Sequence, residues 1–310
     1  MTATNYSSTD DLLRIFNSFS INRGQAIMEP DLKFCEQQQE LLYTTLDGIQ
    51  RWYGIFCEEA AKYAESHVLS FKTDGTLTFR ESHRDSANTS PDFKQFDFKP
   101  FEVMNSLMDN RKNAIHAFAG NIIRYFNSKY SISVTVPEMD KNLPVNFRPM
   151  YTDYTSLVEQ HLQGRGFRET AEEELICRIH LLVHPYRSSI PPELKNDRIV
   201  FYRPFCIVAS YHASQPAYRT DYGQDKRLDI LCEGILFGSK TLLNGNSTII
   251  QNFNYLAIDI TRWYSLTFAT GYAIKFYKNS RVDVRFPDAV KAKNCFEKLR
   301  LNRLENLINE

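Results

Sequence analysis

The chain has 310 residues, 37 Lys and Arg balanced by 37 Asp and Glu, and a formal net charge of zero. That balance excludes a uniformly basic nucleic-acid coat or an acidic tail, although it leaves room for a local patch. A chain of this length forms one large or two closely associated domains and buries about three quarters of its unfolded surface; its 13% aromatic content suits a packed globule rather than a disordered segment.

In chain order, Ser7 to Asp10 precede Leu12, Leu13, Ile15 and Phe16, the pattern of a short capped helix. Pro30 fits a first helical turn. Leu42, Leu46, Ile49, Tyr53, Phe56, Ala60 and Tyr63 then recur at alternating spacings of four and three, which predicts an amphipathic helix over 31–66. Gly48 and Gly54 within it each cost about 1 kcal/mol relative to Ala and allow a kink. From His67, Leu69 and Phe71 alternate with polar residues, Asp74-Gly75 supplies a turn, and Leu77 and Phe79 alternate again, predicting a β-hairpin. The polar stretch 81–95 reads as an exposed loop. Pro100 opens a second long helix, with Leu107, Met108, Ile115, Phe118, Ile122 and Tyr125 on one face, running to about Tyr130. Residues 131–136 alternate as a strand, and 137–150, with three prolines, form a connection.

Two helices follow, 151–163 and 169–184, separated by Gly164-Arg165-Gly166. A proline-rich stretch at 185–192 leads into a β-prone run from Ile199 to Tyr211, where Pro204 favours an edge or a bulge. Residues 225–243 and 253–270 read as helical. Tyr272–Tyr277 and Val282–Phe286 flank Lys278-Asn279-Ser280-Arg281 as a second hairpin, and Pro287-Asp288 begins a helix carrying Val290, Phe296, Leu299, Leu304 and Leu307. No internal repeat or low-complexity tract is present. The expected class is α+β, helix-dominated, with two long N-terminal helices, short antiparallel hairpins and a C-terminal hairpin plus helix. The expected division is a helical region with an inserted hairpin at 1–130 and an α+β region at 131–310, packed as one unit with the first.

The six cysteines (35, 57, 177, 206, 232 and 295) are scattered singly, without the CxxC of zinc ribbons or thioredoxin-like sites. Met1 to Asp11 lacks the basic and apolar regions of a signal peptide, and no run approaches the ~18 apolar residues of a membrane span. The expectation is a reduced, cytoplasmic protein without a membrane partner, its cysteines serving as small apolar groups.

Arg111 and His116, five apart in the second long helix, are candidate catalytic residues. Arg-x4-His resembles the motif of the helical HEPN ribonucleases, in which a cation stabilises the charged phosphorus intermediate and an imidazole transfers protons without a metal. Lys112 stands where that family more often has Asn, Asp or His. Five helical residues turn through about 140°, so convergence requires a bend or a second subunit. The alternative is an Arg whose stem packs at the core edge, since Arg111 lies three after Met108 and four before Ile115.

His180 and His184 share a helix face, with Cys177, Cys206 or His212 as conceivable further ligands, but the Glu of HExxH is missing and capping or surface roles are the expectation. Gly234 to Thr241 superficially resembles a phosphate loop; it is one residue short between glycines, and Gly238 near a helix C-cap is the better account. Glu172–Glu174 read as a solvated helix start. No cofactor or metal is expected. Lys275, Lys278, Arg281 and Arg285 crowd the C-terminal hairpin among Tyr272, Phe276 and Tyr277, and Lys291, Lys293, Lys298, Arg300 and Arg303 follow. Cations interleaved with aromatics suit a phosphate backbone with stacked bases, against the alternative of edge-strand protection by lysine.

Asp109-Asn110-Arg111-Lys112-Asn113-Ala114-Ile115 resembles an NR-x-x-AI helix, and Ile274 to Phe286 resembles an F-K-N-G-N-x-H-x-x-F hairpin. Both occur in this order in an uncharacterised bacterial domain family of mobile elements and prophages, often fused or adjacent to an adenine DNA methyltransferase. The likeness spans about 109–300, and this chain has Ser280 where the family often has Gly and Arg281 where it has Asn. The resemblance implies a mobile-element or phage accessory protein acting near DNA; it transfers no catalytic residue. The chain carries neither a glycine-rich cofactor loop of a methyltransferase nor an NPPY-type tetrapeptide. Three readings follow: a non-enzymatic, nucleic-acid-associated accessory protein binding DNA or RNA, a metal-independent ribonuclease, and a structural or protein-interaction module whose partner is encoded nearby.

Overall fold

Pro30 and Asp31 set the first turn of helix α1 (Glu29–Lys62). Here and below, the computed structural model describes residues 27–62, 67–81, 100–138, 140, 143–184, 189–209, 218–221, 224–243 and 247–304. The predicted helix at 7–16 and nearly all of the loop at 81–95 lie outside these residues. The chain is α+β, and its contacts divide it into two units, one ending at Phe167 and one starting at Arg168. Residues 131–167, grouped by sequence with the second half, thus fall in the first unit.

In the first unit, the 4-and-3 spacing of α1 buries Leu42 and Leu46, and Cys35 joins them two turns earlier. Helix α2 (Pro100–Tyr130) packs against α1 and buries Met104, Met108, Ile115, Phe118, Ile122 and Phe126. Helix α3 (Tyr151–Leu162) closes the bundle with Tyr154, Val158 and Leu162. Asp31 ties the first turn of α1 to the end of α2. Its wholly buried carboxylate accepts from Lys129 Nζ at 2.5 Å, Tyr130 OH at 2.7 Å, Tyr125 OH at 2.8 Å and, just ahead of the helix, Met28 N–H at 3.0 Å. Burial pushes this carboxyl up, but those four donors outweigh it and hold it below the ordinary aspartate value.

Strands β1 (His67–Phe71) and β2 (Leu77–Glu81) form the expected antiparallel hairpin. Gly75 takes φ +83°, and a Cβ there would collide with Val145 and Met108, so glycine is required both by backbone and by space. Asn105 of α2 docks the hairpin by accepting from Leu77 N–H at 2.9 Å and donating to Leu77 C=O at 3.1 Å. Asp74 accepts from Thr76 N–H and Oγ1 at 3.0 and 2.8 Å and from Lys112 Nζ at 2.9 Å. Burial pushes the Asp74 carboxyl up, yet Lys112 and Thr76 bring it down to about 2. An acid depressed in this way contributes stability that is complete above its unfolded value near ~4 and is lost as the pH falls toward the folded one. In Lys112→Met, the NMR titration midpoint read at the Thr76 amide rises by about one pH unit. An unmoved midpoint would show that Lys112 does not hold the carboxylate.

The strand expected at 131–136 is not formed. Ile132 and Val134 are buried, as alternation requires, but among the described residues no strand pairs with this segment; the Asn127 side chain exchanges two 2.9 Å hydrogen bonds with the Val134 backbone.

The second unit is built on a five-stranded antiparallel sheet in the order β3 (Glu193–Lys195), β4 (Arg198–Phe201), β9 (Val282–Arg285), β8 (Ala273–Phe276), β7 (Tyr264–Ser265). A separate pair, β5 (Ile207–Ala209) and β6 (Tyr218–Thr220), completes the strands. Ile199, Val284, Ile274 and Tyr264 form one cross-strand row, and Phe201, Val282 and Phe276 a second. Both rows enter the core with residues of helices α4 (Phe167–Val183), α5 (Asp225–Lys240) and α6 (Ala289–Lys298). Asp288 caps α6 by accepting from Lys291 N–H at 2.8 Å.

One other expectation is corrected in this unit. Residues 253–270 are not helical: they are turns, a bridge from Ile258 to Tyr218, and strand β7. Gly238 lies near a helix C-cap, as expected, and inside the helix. Helix α5 ends on Thr241 in the left-handed conformation, and Gly234 and Gly238 lie inside it, where Ile179 and Cys295 pack against the bare backbone.

Candidate nucleic-acid interface

The alternation that sends Ile274, Phe276, Val282 and Val284 into the core puts Lys275, Asp283 and Arg285 on the sheet's other face. Register extends this face across the strands. Lys195 lies opposite Arg198, Arg198 opposite Arg285, Arg285 opposite Ala273, and Ala273 opposite Ser265. In the next row Glu193, Val200, Asp283 and Lys275 succeed one another. Two arginines and a lysine from β3, β4 and β9 therefore share one row, a juxtaposition that only strand pairing creates.

Of the four hairpin cations, Lys278 and Arg285 are exposed and Lys275 and Arg281 are half-buried. Arg285 stacks on Trp263, its guanidinium carbon 4.7 Å from the ring centre. Tyr277 carries Lys275 at 5.3 Å and Arg281 at 4.6 Å over its ring. These distances fall within the range of cation–π attraction, so each cation is held to an aromatic surface. Lys275 Nζ also donates to Thr261 C=O at 3.3 Å.

Arg281 is the exception among the four. Its Nε and Nη2 donate to the two carboxylate oxygens of Asp283 at 2.6 Å each, and Tyr277 OH donates to the same acid at 3.2 Å. Asp283 is fully buried, with Arg198 3.7 Å away as a second cation. The hydrogen bonds to Asp283 raise Arg281 above its ordinary value, while burial and then the Asp283 charge push the Tyr277 hydroxyl up. Arg281 thus braces the face from beneath, leaving Lys278 and Arg285 as its exposed cations on this hairpin. Sequence reasoning missed Lys195, Arg198, Trp263 and Asp283; the available signal was the register opposite β9, which no single strand reveals.

Four of the cations of α6 and just beyond it already have partners. Lys291 and Lys293 pair within the helix with Asp288 and Glu297 at 3.6 and 3.7 Å, and Lys298 donates to Thr241 Oγ1 at 2.6 Å. Arg300 binds Glu173 with two bonds of 2.8 and 2.5 Å, so Glu173 is a bracket rather than a solvated helix start. His180 Nε2 lies 2.8 Å from Leu299 C=O, and burial pushes its pKa down. Cys177 and Cys206 are exposed, and His212 is outside the described residues. Among the described residues no group of three or more His, Cys, Asp or Glu could hold a metal ion, and no helix is long and apolar enough to cross a membrane.

No family model, curated protein or solved structure matches this chain.

Arg111 and His116 sit on the continuous helix α2 with opposite surroundings. Arg111 is 3% exposed, whereas His116 is exposed. Arg111 Nη2 donates to Pro144 C=O at 2.9 Å and to Phe147 C=O at 2.7 Å, which pins the 143–148 segment against the bundle. The guanidinium is therefore engaged with backbone carbonyls.

Proposed function

We propose that this protein is a nucleic-acid-associated accessory protein that binds through the outer face of its five-stranded sheet. The observation that carries the reading is the row Lys195, Arg198, Arg285, with Lys275 and Lys278 beside it and the half-buried rings of Trp263 and Tyr277 among them. Phosphates take the cations and bases stack on the rings, the combination used by sequence-tolerant single-strand binders. The sequence resemblance to the mobile-element family, whose members neighbour DNA methyltransferases, supports the same reading. The buried Asp283 lowers the charge of this face and fixes Arg281, which favours moderate, salt-sensitive binding over a tight electrostatic clamp.

The test is fluorescence anisotropy with labelled single-stranded DNA, duplex DNA and single-stranded RNA across a salt series. For at least one of the three, affinity falls steeply between about 50 and 200 mM salt. The triple variant Lys275→Glu, Lys278→Glu, Arg285→Glu weakens it by at least about tenfold and flattens the salt slope by about 2–3. Absence of binding at low salt, or equal binding by the triple variant, would overturn the proposal.

A further inference from the structure

Helix α1 carries a second apolar stripe beside the one that enters the core. Leu41, Thr45, Gly48, Trp52 and Ile55 each stand one residue ahead of a member of the inward stripe Leu42, Leu46, Ile49, Tyr53 and Phe56, and so lie about 100° further round the helix. Leu41 is 63% exposed, Trp52 60% and Ile55 50%. Thr44 and Thr45 donate their hydroxyls to Glu40 C=O and Leu41 C=O at 2.9 Å each, which satisfies the one polar group of each side chain on the helix itself. At Gly48, in the middle of the stripe, an added Cβ would meet no described residue within 4 Å. A contiguous apolar row of this kind marks a contact surface.

We propose that this stripe is a dimer interface, in which a second copy of the chain lays its own α1 antiparallel across the first with the two-fold axis at Gly48. The stripe reads the same from either end. Leu41 and Ile55 stand seven residues to either side of Gly48, and Thr44 and Trp52 stand four. A two-fold contact requires that residue i face j and j face i. Leu41 therefore meets the partner's Ile55 at both ends, Trp52 meets the partner's Thr44, and the two bare glycines let the backbones approach at the centre. The charges permit this pairing. Between 36 and 60 no charged residue falls opposite another: Glu58 and Glu59 face Gln38 and Gln37, Arg51 faces Thr45, and Glu40 faces Phe56. A parallel pair would instead set Arg51, Glu58 and Glu59 beside their own copies, which is unfavourable. The exposed parts of the stripe offer on the order of 500 Å² per chain, so the dimer buries about 1,000 Å², the lower end for a specific contact. That area suits a weak dimer whose population depends on concentration. The interface uses no residue of the sheet face proposed above to bind nucleic acid.

Sedimentation equilibrium of the full chain from about 1 to 200 μM tests this: monomer dominates at the low end and dimer at the high end, with Kd about 10 μM. Gly48→Arg has room for its side chain within one copy and a better helix former at the site. It keeps the circular dichroism spectrum and melting temperature, yet sets two cations at the axis and weakens the dimer at least about tenfold. Leu41→Lys and Ile55→Glu each weaken it likewise. Combined in one chain they dimerise at least about fivefold more tightly than either alone, because each lysine then meets a glutamate of the partner. A chain that stays monomeric at about 200 μM overturns the proposal, and leaves the stripe to residues of this chain outside the described ones or to a different protein. A dimer that Gly48→Arg does not weaken overturns it too, as does a double variant no tighter than the single ones. Failure here leaves the nucleic-acid reading standing, since the triple sheet variant does not alter this stripe.

Discussion

Asp31→Ala lowers the stability of the first unit by about 2–3 kcal/mol, the upper range for leaving part-buried donors without their acceptor, since the Lys129 ammonium that remains is open to water. The loss has three parts. The Met28 amide at the start of α1 loses its acceptor. The Tyr125 and Tyr130 hydroxyls are left in a poorly solvated place without the oxygen that oriented them. Lys129 loses its counter-charge; the hydrogen bond to Asp31 is the first cause of its pKa being raised, so its ammonium becomes easier to deprotonate. Hydrogen exchange of the α1 and α2 amides in a urea series reads this locally, which matters because a chain of two units need not unfold in one step. Tyr130→Phe, which removes one neutral donor, costs only about 1 kcal/mol. The cluster also confers acid sensitivity: its contribution is present above the ordinary aspartate range and fades as the pH falls through the lowered Asp31 value. Loss below about 1 kcal/mol in Asp31→Ala would mean that water replaces the carboxylate cheaply.

Gly238→Ala destabilises the second unit by about 1–3 kcal/mol, although Ala is favoured over Gly by about 1 kcal/mol in a free helix. A Cβ at Gly238 would stand inside contact distance of Cys295 Sγ, and both residues are buried where α5 meets α6. Cys295→Ala removes the opposing sulfur. The double variant Gly238→Ala, Cys295→Ala is therefore more stable than the sum of the single changes predicts, a coupling that a double-mutant cycle on thermal melts measures directly. If Gly238→Ala instead raises the melting temperature, helix propensity has won and the close approach of α6 is not a constraint.

The elements that were readable in the sequence are those whose pattern is local. The stripes of α1 and α2 and the Asp74-Gly75 turn each lie within a few residues of their cause, and the structure keeps them. The segment 253–270 misled because Tyr255, Leu256, Ile258, Trp263 and Tyr264 are as apolar as a buried helix. Its polar residues decide otherwise. Asn254 accepts from Leu256 N–H and Asp259 from Thr261 N–H, two local turns that compete with helical bonding. The segment 131–136 shows the reverse case: alternation reported burial correctly but could not supply a neighbouring strand.

The candidate sites were legible in part for the same reason. The cations of the hairpin are adjacent in sequence, so Lys275, Lys278, Arg281 and Arg285 could be named. The engagement of Arg281 as a half-buried brace depends on Asp283, whose place between Val282 and Val284 looks like any solvent-facing strand position. Arg111 was noticeable, but its carbonyl partners come from a segment more than thirty residues away, and backbone acceptors leave no mark in a sequence.

The two-sidedness of β9 limits how this chain can change length. Inserting one residue within Val282–Arg285 would reverse the facing of every strand residue on one side of the insertion, so that β9 could no longer keep its apolar row inward and Asp283 and Arg285 on the other face. A two-residue insertion would keep the alternation. The turn at Lys278–Ser280, where Ser280 already takes φ +65°, is the place where extra residues can be absorbed without reversing the sheet. Natural length variation in this hairpin is therefore expected at its tip, and in even steps along its arms.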